Sequence, residues 1–248
     1  MNILITNDDG WGAKGIVTLV RLMQQLGQVT VIAPDGARSG QSNAISVDIP
    51  LYMHKAEAPE GTDAEVYVTN GTPADCIKLA VNTVFKDKFP DLVVSGINHG
   101  SNAAVNVIYS GTMGACFVAA EQGIPAIGFS ICDHNPDADF SFMEPYILPL
   151  TQQLLQRHDA YGICYNINAP IGEIQGVRFT RQCRGNWEKE YLPHTDAEGN
   201  TYYLLTGNFR NHEPEAEDTD EWALAHGYIA ITPDTIDLTA YDSLLWQP

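Results

Sequence analysis

Near the amino terminus, Asn7-Asp8-Asp9-Gly10 sets two adjacent carboxylates directly after a short apolar run, Ile3-Leu4-Ile5. Successive side chains of a strand point to opposite faces. Both acids therefore converge only where the strand has ended and the chain turns, and Gly10 suits such a turn. Carboxylates this close repel each other and call for a compensating cation. A divalent metal held by oxygen ligands is the simplest one. Three further segments carry matching donors. Ser39-Gly40-Gln41-Ser42-Asn43 offers small hydroxyl and amide side chains around a glycine, although alone it reads as a turn. Ser95-Gly96-Ile97-Asn98-His99-Gly100-Ser101-Asn102 sets two asparagines four apart between glycines. Asn98 can give a carbonyl oxygen to a hard cation, and Asn102 can donate to a phosphoryl oxygen. His99 stands between them, either as a general acid or as a neighbour without a chemical role. Ser110-Gly111-Thr112 heads an expected helix, whose first N–H groups and positive dipole end are ready for an anion. Ser110 suits an N-cap there as well.

Short apolar strands alternating with amphipathic helices position these loops. Strands are expected at 2–6, 29–33, 65–69, 91–95, 125–131 and 162–168, and helices at 15–26, 73–85, 111–122 and 143–157. The apolar spacing at Ile16, Leu19, Val20, Met23 and Leu26 is near 3.6, and Thr72 with Pro73 forms a helix start. Such βαβ alternation predicts an α/β fold with a Rossmann-like, mostly parallel sheet and helices on both faces. Residues 1–175 form the expected catalytic core. Residues 176–248 follow a different pattern. Phe179–Trp187 and Thr201–Leu205 read as extended segments around Asp196-Ala197-Glu198-Gly199-Asn200, with an acidic loop at 213–221 and a closing strand from Tyr228 to Thr232. An isolated hairpin is marginal in water, so this one is expected to pack on a second subunit.

The chain has 248 residues, 44% of them hydrophobic, and a formal charge of −18 from 31 acidic and 13 basic residues. That balance excludes nucleic-acid polymers, whose binding rests on Lys and Arg neutralising phosphates. A small phosphorylated substrate stays open if a metal supplies the positive charge. Five widely spaced cysteines without a Cys-x-x-Cys pair read as core residues of a reducing compartment. Cys183 alone lies in a polar stretch, with no supporting base nearby. There is no basic, apolar leader and no long apolar run, so the expectation is a cytoplasmic protein without a membrane partner.

Three of the polar loops follow strands of one parallel sheet and the fourth opens the next helix, so they are expected to meet on one edge. Acidic and neutral oxygens, an anion nest and almost no basic groups make the logic of a metal-dependent phosphomonoesterase. In order along the chain stand Asn7-Asp8-Asp9-Gly10, Ala33-Pro34-Asp35 with Arg38-Ser39-Gly40, Gly71-Thr72-Pro73-Ala74-Asp75-Cys76, Ser95-Gly96-Ile97-Asn98-x-Gly-x-Asn102 and Tyr109-Ser110-Gly111-Thr112. Thr219-Asp220, Gly227-Tyr228, Ile231-Thr232-Pro233 and Asp237-Leu238-Thr239 complete the set. The chain resembles the SurE family of bacterial and archaeal 5′/3′-nucleotidases over essentially its whole length. The resemblance implies hydrolysis of nucleoside monophosphates, and in some members of short polyphosphate, with one Mg2+ or Mn2+ per subunit. It implies Asp8, Asp9, Ser39 and Asn98 as metal ligands, and Asn98, Asn102, Ser110, Gly111 and Thr112 around the phosphate. It also implies dimers or tetramers built by exchange of C-terminal segments. One departure stands out: Thr235 occupies the place where many members carry a histidine that reaches the site, so leaving-group protonation falls to bound water or to His99.

The mechanism expected on this basis is attack by a metal-activated water, with Asp8, Asp9 and Asn102 as the catalytic set and Asp8 orienting the nucleophile. A covalent aspartyl-phosphate on Asp8 is the competing route. A phosphorylated receiver domain also pairs acids after its first strand. It needs an Asp at the end of its central strand, where this chain has Ser95-Gly96. A non-catalytic nucleotide sensor on the same pocket is the alternative from another class.

Overall fold

A computed structural model describes residues 1–248 apart from 136, 158, 160, 242 and 244–248. The first half of the chain alternates strands with helices, apart from one run of three successive strands. It runs β1 (Asn2–Thr6), α1 (Lys14–Met23), β2 (Gln28–Pro34), β3 (Met53–Ala56), β4 (Glu65–Thr69), α2 (Pro73–Asn82) and β5 (Leu92–His99). A short 3-10 turn (Ala104–Ile108) leads to α3 (Gly111–Glu121), β6 (Ala126–Ile131), α4 (Glu144–Leu155) and β7 (Ile163–Ala169). Then come β8 (Gly176–Phe179), β9 (Gly185–Glu188), β10 (Tyr191–Thr195), β11 (Thr201–Leu205), β12 (Asn208–Asn211), α5 (Asp220–Ala225) and β13 (Tyr228–Thr235).

Among the described residues, nine strands form one sheet in the order β3-β4-β2-β1-β5-β6-β7-β13-β8. The six strands from β4 to β7 are parallel, whereas β3 and β13 run antiparallel to their neighbours β4 and β7. Alternation along each strand divides the core. Ile3 and Ile5 pack with Ile16, Leu19 and Met23 of α1 and Ile147 and Leu150 of α4. Leu4 packs on the other face with Ala74 and Ile77 of α2 and Met113 and Cys116 of α3. Strand pleat thus sets which helix covers which face. The Rossmann-like architecture with helices on both faces is as expected. Among the described residues no helix is long and apolar enough to cross a membrane.

The chain leaves β1 for β2 on one side and later returns to β5 on the other. In doubly wound sheets the crevice beyond the carboxyl ends of two such strands is where ligands sit. Here that crevice lies between Asp8 and Asn98. Beyond β8 the chain departs as a two-tier hairpin, with β9 pairing β12 and β10 pairing β11, both antiparallel. The segment expected as one extended run, 179–187, is therefore two strands in different sheets. Phe179 ends β8 in the main sheet, and Gly185–Glu188 forms the hairpin base. The 213–221 stretch ends in a short helix, α5, capped by the Thr219 hydroxyl, which accepts from the Trp222 N–H at 3.2 Å.

Candidate active site

The Asp8–Asp9 turn is built by Asn7. This fully buried amide accepts from the Gly10 N–H at 3.1 Å and donates to the Gly10 carbonyl at 2.9 Å. The closed turn swings two consecutive carboxylates to the same side, and Gly10 takes φ +102°, where a side chain would strain the backbone. Asp8 is buried. Its Oδ1 accepts from the Thr112 hydroxyl at 2.6 Å. Gly111 makes room for it, since a Cβ there would lie 2.8 Å from the Asp8 Cβ. Burial pushes Asp8 up to about 6. The Thr112 hydrogen bond opposes that shift and the charge of Asp9 adds to it. Asp9 Oδ2 lies 3.1 Å from His99 Nδ1, and the imidazole packs edge-on against Phe140 at 5.1 Å.

Strand β5 runs further than its apolar run predicts. Its pairing with β6 shifts between Ser95 and Asn98 and then resumes as Asn98↔Ser130 and His99↔Ile131. Such a bulge re-aims side chains at a sheet end, and here it carries Asn98 and His99 to the crevice. Gly96 takes φ +124° at the shift, and a Cβ there would meet the Phe129 carbonyl at 2.3 Å. Asn98 donates to the Gly100 carbonyl at 2.7 Å, and buried Asn102 donates from Nδ2 to Ser130 Oγ at 2.9 Å. Ser110 caps α3, its hydroxyl accepting from the Met113 N–H at 3.0 Å.

The 39–43 loop reaches the site through contacts far away in sequence. The Ser42 N–H donates to the Tyr109 carbonyl and its hydroxyl to the Ile108 carbonyl. Gly114 has no side chain to keep that loop off α3, since a Cβ would lie 2.3 Å from the Ser42 carbonyl oxygen. Ser39 is thereby brought to the same cleft as the acids. The nearest guanidinium is engaged elsewhere. Arg38 pairs with Asp35 at 2.8 Å and donates to the Asn70 carbonyl, while its backbone N–H donates to the Asp8 carbonyl.

These residues line one cleft of about 640 Å3, shared by Asp8, Asp9, Ser39, Asn98, His99, Asn102 and Ser110. Among the described residues no Lys or Arg lines it. Gly111 and Thr112 lie behind the wall, where the Thr112 hydroxyl serves Asp8. The far wall is formed by Asn106, Tyr109, His134 and, from the hairpin, Trp187, Glu190, Tyr191, Leu205 and Thr206, none of them a candidate from the sequence. Trp187 is fixed there by its indole N–H, which donates to Asn106 Oδ1 at 2.7 Å, and by an edge contact to Phe209. No local pattern signals this, because the contact joins residues 81 positions apart. Thr235 is not among the cleft residues. It lines an apolar groove of about 880 Å3 with Val107, Phe117, Asp234 and Ile236. Cys183 is buried, and its thiol is pushed up to about 11, chiefly by burial.

Asp234 in that groove gives a clean stability prediction. Burial, set against a hydrogen bond from Asn166 and reinforced by the charge of Asp220, pushes it up to about 7. A carboxyl whose folded pKa is raised contributes stability below its unfolded value near 4 and loses it as pH rises through about 7. Asp234→Asn is therefore expected to gain on the order of 2 kcal/mol over wild type between pH 4.5 and 8. Denaturant melts at both pH values check this. A wild-type-to-variant difference that does not change with pH contradicts it.

A family model described as "Survival protein SurE" matches residues 3–189. A 5'-nucleotidase SurE of Phocaeicola vulgatus is 49% identical over 240 residues, covering 96% of this chain and 92% of its own length. One from Flavobacterium psychrophilum is 44% identical over 245 residues, covering 98% and 94%. The crystal structure of the SurE protein from Aquifex aeolicus superposes with a TM-score of 0.84 at 31% identity, over 98% of this chain and 97% of that one.

Proposed function

The chain belongs to the SurE family, and from that premise we propose that it is a 5′-nucleotidase that hydrolyses nucleoside monophosphates with one Mg2+ or Mn2+ ion at its acidic pair. One observation carries the reading: the cleft opposes two adjacent carboxylates to a row of neutral amides and hydroxyls, with no Lys or Arg among the described residues of its walls. The donor set fits a hard cation. Asp8 and Asp9 stand in the cleft as adjacent acids, and burial, with the charge of Asp9 added, raises Asp8 to about 6. Asp8, Asp9, Ser39 and Asn98 would hold the ion through oxygen, as Mg2+ and Mn2+ prefer. Among the described residues no three His, Cys, Asp or Glu side chains gather into a metal-holding group.

When bound, the cation supplies Lewis-acid polarisation of the phosphoryl group and eases deprotonation of water. The chain's own residues do the rest. Asn102 and Ser110 bind and orient the phosphoryl oxygens. Thr112 holds Asp8 in the rotamer that orients the attacking water. Asp9 is steadied by His99, whose Nε2 is enclosed without a partner among the described residues. That enclosure leaves protonation of the departing oxygen to water. Tyr109, Trp187 and Tyr191 give the far wall aromatic faces for the nucleoside. The same chemistry extends to 3′-nucleotides and short polyphosphate. The protein acts in the cytoplasm as a dimer or tetramer joined through the β10–β11 hairpin.

A phosphate-release panel of AMP, GMP, 3′-AMP, tripolyphosphate and p-nitrophenyl phosphate, run with Mn2+, tests the reading. Release from the 5′-nucleotides that stops on chelation is expected, and nucleotide binding without any release marks a sensor instead. Trp187→Ala is expected to raise KM about tenfold for AMP and little for tripolyphosphate.

A further inference from the structure

The side of β7 that faces α3 turns polar toward the site. It reads Cys164, Asn166, Asn168, whereas the opposite side reads Tyr165, Ile167, Ala169. Parallel strands covered on both faces are normally continuous apolar runs, and an amide buried without partners is costly. Both asparagines are essentially inaccessible, at 1% and 0% exposure. Their hydrogen bonds explain why they are tolerated there.

The Asn102 N–H donates to Asn168 Oδ1 at 2.8 Å. Asn168 Nδ2 donates to Asn166 Oδ1 at 2.8 Å. Asn166 Nδ2 then donates to the Asn102 carbonyl at 2.9 Å. The ring closes on a single residue, so both backbone groups of Asn102 are held by side chains of a strand two positions away in the sheet. Ser130, opposite Asn168 in register on the intervening strand β6, accepts from Asn102 Nδ2. Ser101 Oγ also donates to Asn168 Oδ1, at 3.3 Å. Loop backbone beyond a strand end normally relies on water for these bonds. Here the sheet itself supplies them.

We infer that Asn166 and Asn168 are positioning residues that hold Asn102 in place to receive the phosphoryl group. The inference rests on the phosphate-binding role proposed for Asn102. The two asparagines touch neither substrate nor cation. They act by removing the freedom of the 101–103 backbone, so that the Asn102 amide meets the phosphoryl oxygens already aligned.

The test uses the full-length protein with Asn168→Ala and, separately, Asn166→Ala. The readouts are KM for AMP, the inhibition constant of inorganic phosphate, the Mn2+ activation constant and hydrogen exchange of the Asn102 amide. In each variant, KM and the phosphate inhibition constant are expected to rise about tenfold with the Mn2+ constant unchanged. In Asn168→Ala the Asn102 amide loses protection while the β5 and β6 core keeps theirs. If Asn168→Ala does not fold, Asn166→Ala carries the test, because it leaves the Asn102 N–H bond intact. A fall in active fraction with unchanged KM and phosphate inhibition overturns the inference, as that is what a purely structural role gives. If the wild type releases no phosphate from any nucleotide, the proposed function fails. The exchange arm then still decides the clamp, which is overturned if the Asn102 amide stays protected without Asn168.

Discussion

Asp9→Asn and Asp8→Asn are each expected to lower kcat/KM for AMP by about a thousandfold or more in the presence of Mn2+, without unfolding the protein. The amide keeps the volume of the carboxyl, so the Asn7–Gly10 turn and the Thr112 contact can survive. Charge is what changes. Asp8 carries the stability arm, because a buried carboxylate next to another acid costs free energy when ionised. Asp8→Asn should therefore melt no lower than wild type at pH 8, while its activity is gone. Steady-state kinetics beside thermal melts measure both arms. Retention of activity within tenfold in either variant contradicts the cation assignment.

The second large effect is on assembly. In the β10–β11 hairpin, Leu192 lies directly opposite Leu204, and His194 stacks on Tyr202 at 5.4 Å. The other side carries Tyr191, Leu205 and Tyr203. Both sides are open to solvent in the single chain, with Leu205 70% and Tyr203 63% exposed. A two-stranded ribbon apolar on both sides is marginal alone, and contiguous exposed apolar surface marks an interface. Leu192→Asp combined with Leu204→Asp sets two like charges face to face and desolvates them on association. Their dissociation constant is expected to rise at least about a hundredfold. Neither leucine lines the cleft, so phosphate release by the dissociated chain isolates what association contributes. Sedimentation across a concentration series reads the result. A wild type that sediments as a single chain at every concentration contradicts the hairpin's role in assembly.

Much of the core is legible because its signal is local. Strands β1, β2, β4, β6 and β7 and helices α1 to α4 follow from apolar period and from caps such as Thr72-Pro73. β3 escaped because Met53-His54-Lys55-Ala56 lies largely open at the sheet edge and carries no apolar pattern. α5 was hidden in an acidic stretch, although Thr219 before Asp220 and Glu221 was a usable start signal. At the site, the carboxylate turn and the Asn98–Asn102 segment stand out by residue type and spacing. Ser39 does not, since its place depends on Ser42 meeting Tyr109 and Gly114. The Asn166–Asn168 ring and the Trp187 wall are likewise long-range, and only the folded sheet brings them to Asn102 and Asn106.

The central claim is that the cleft borrows its positive charge from an ion. A crystal structure of the wild type grown with Mn2+, with anomalous data collected at the manganese edge, tests it directly. One peak per subunit is expected, within about 2.5 Å of oxygens from Asp8, Asp9, Ser39 and Asn98. A well-ordered cleft with no peak between the two acids, in a crystal containing millimolar manganese, contradicts it.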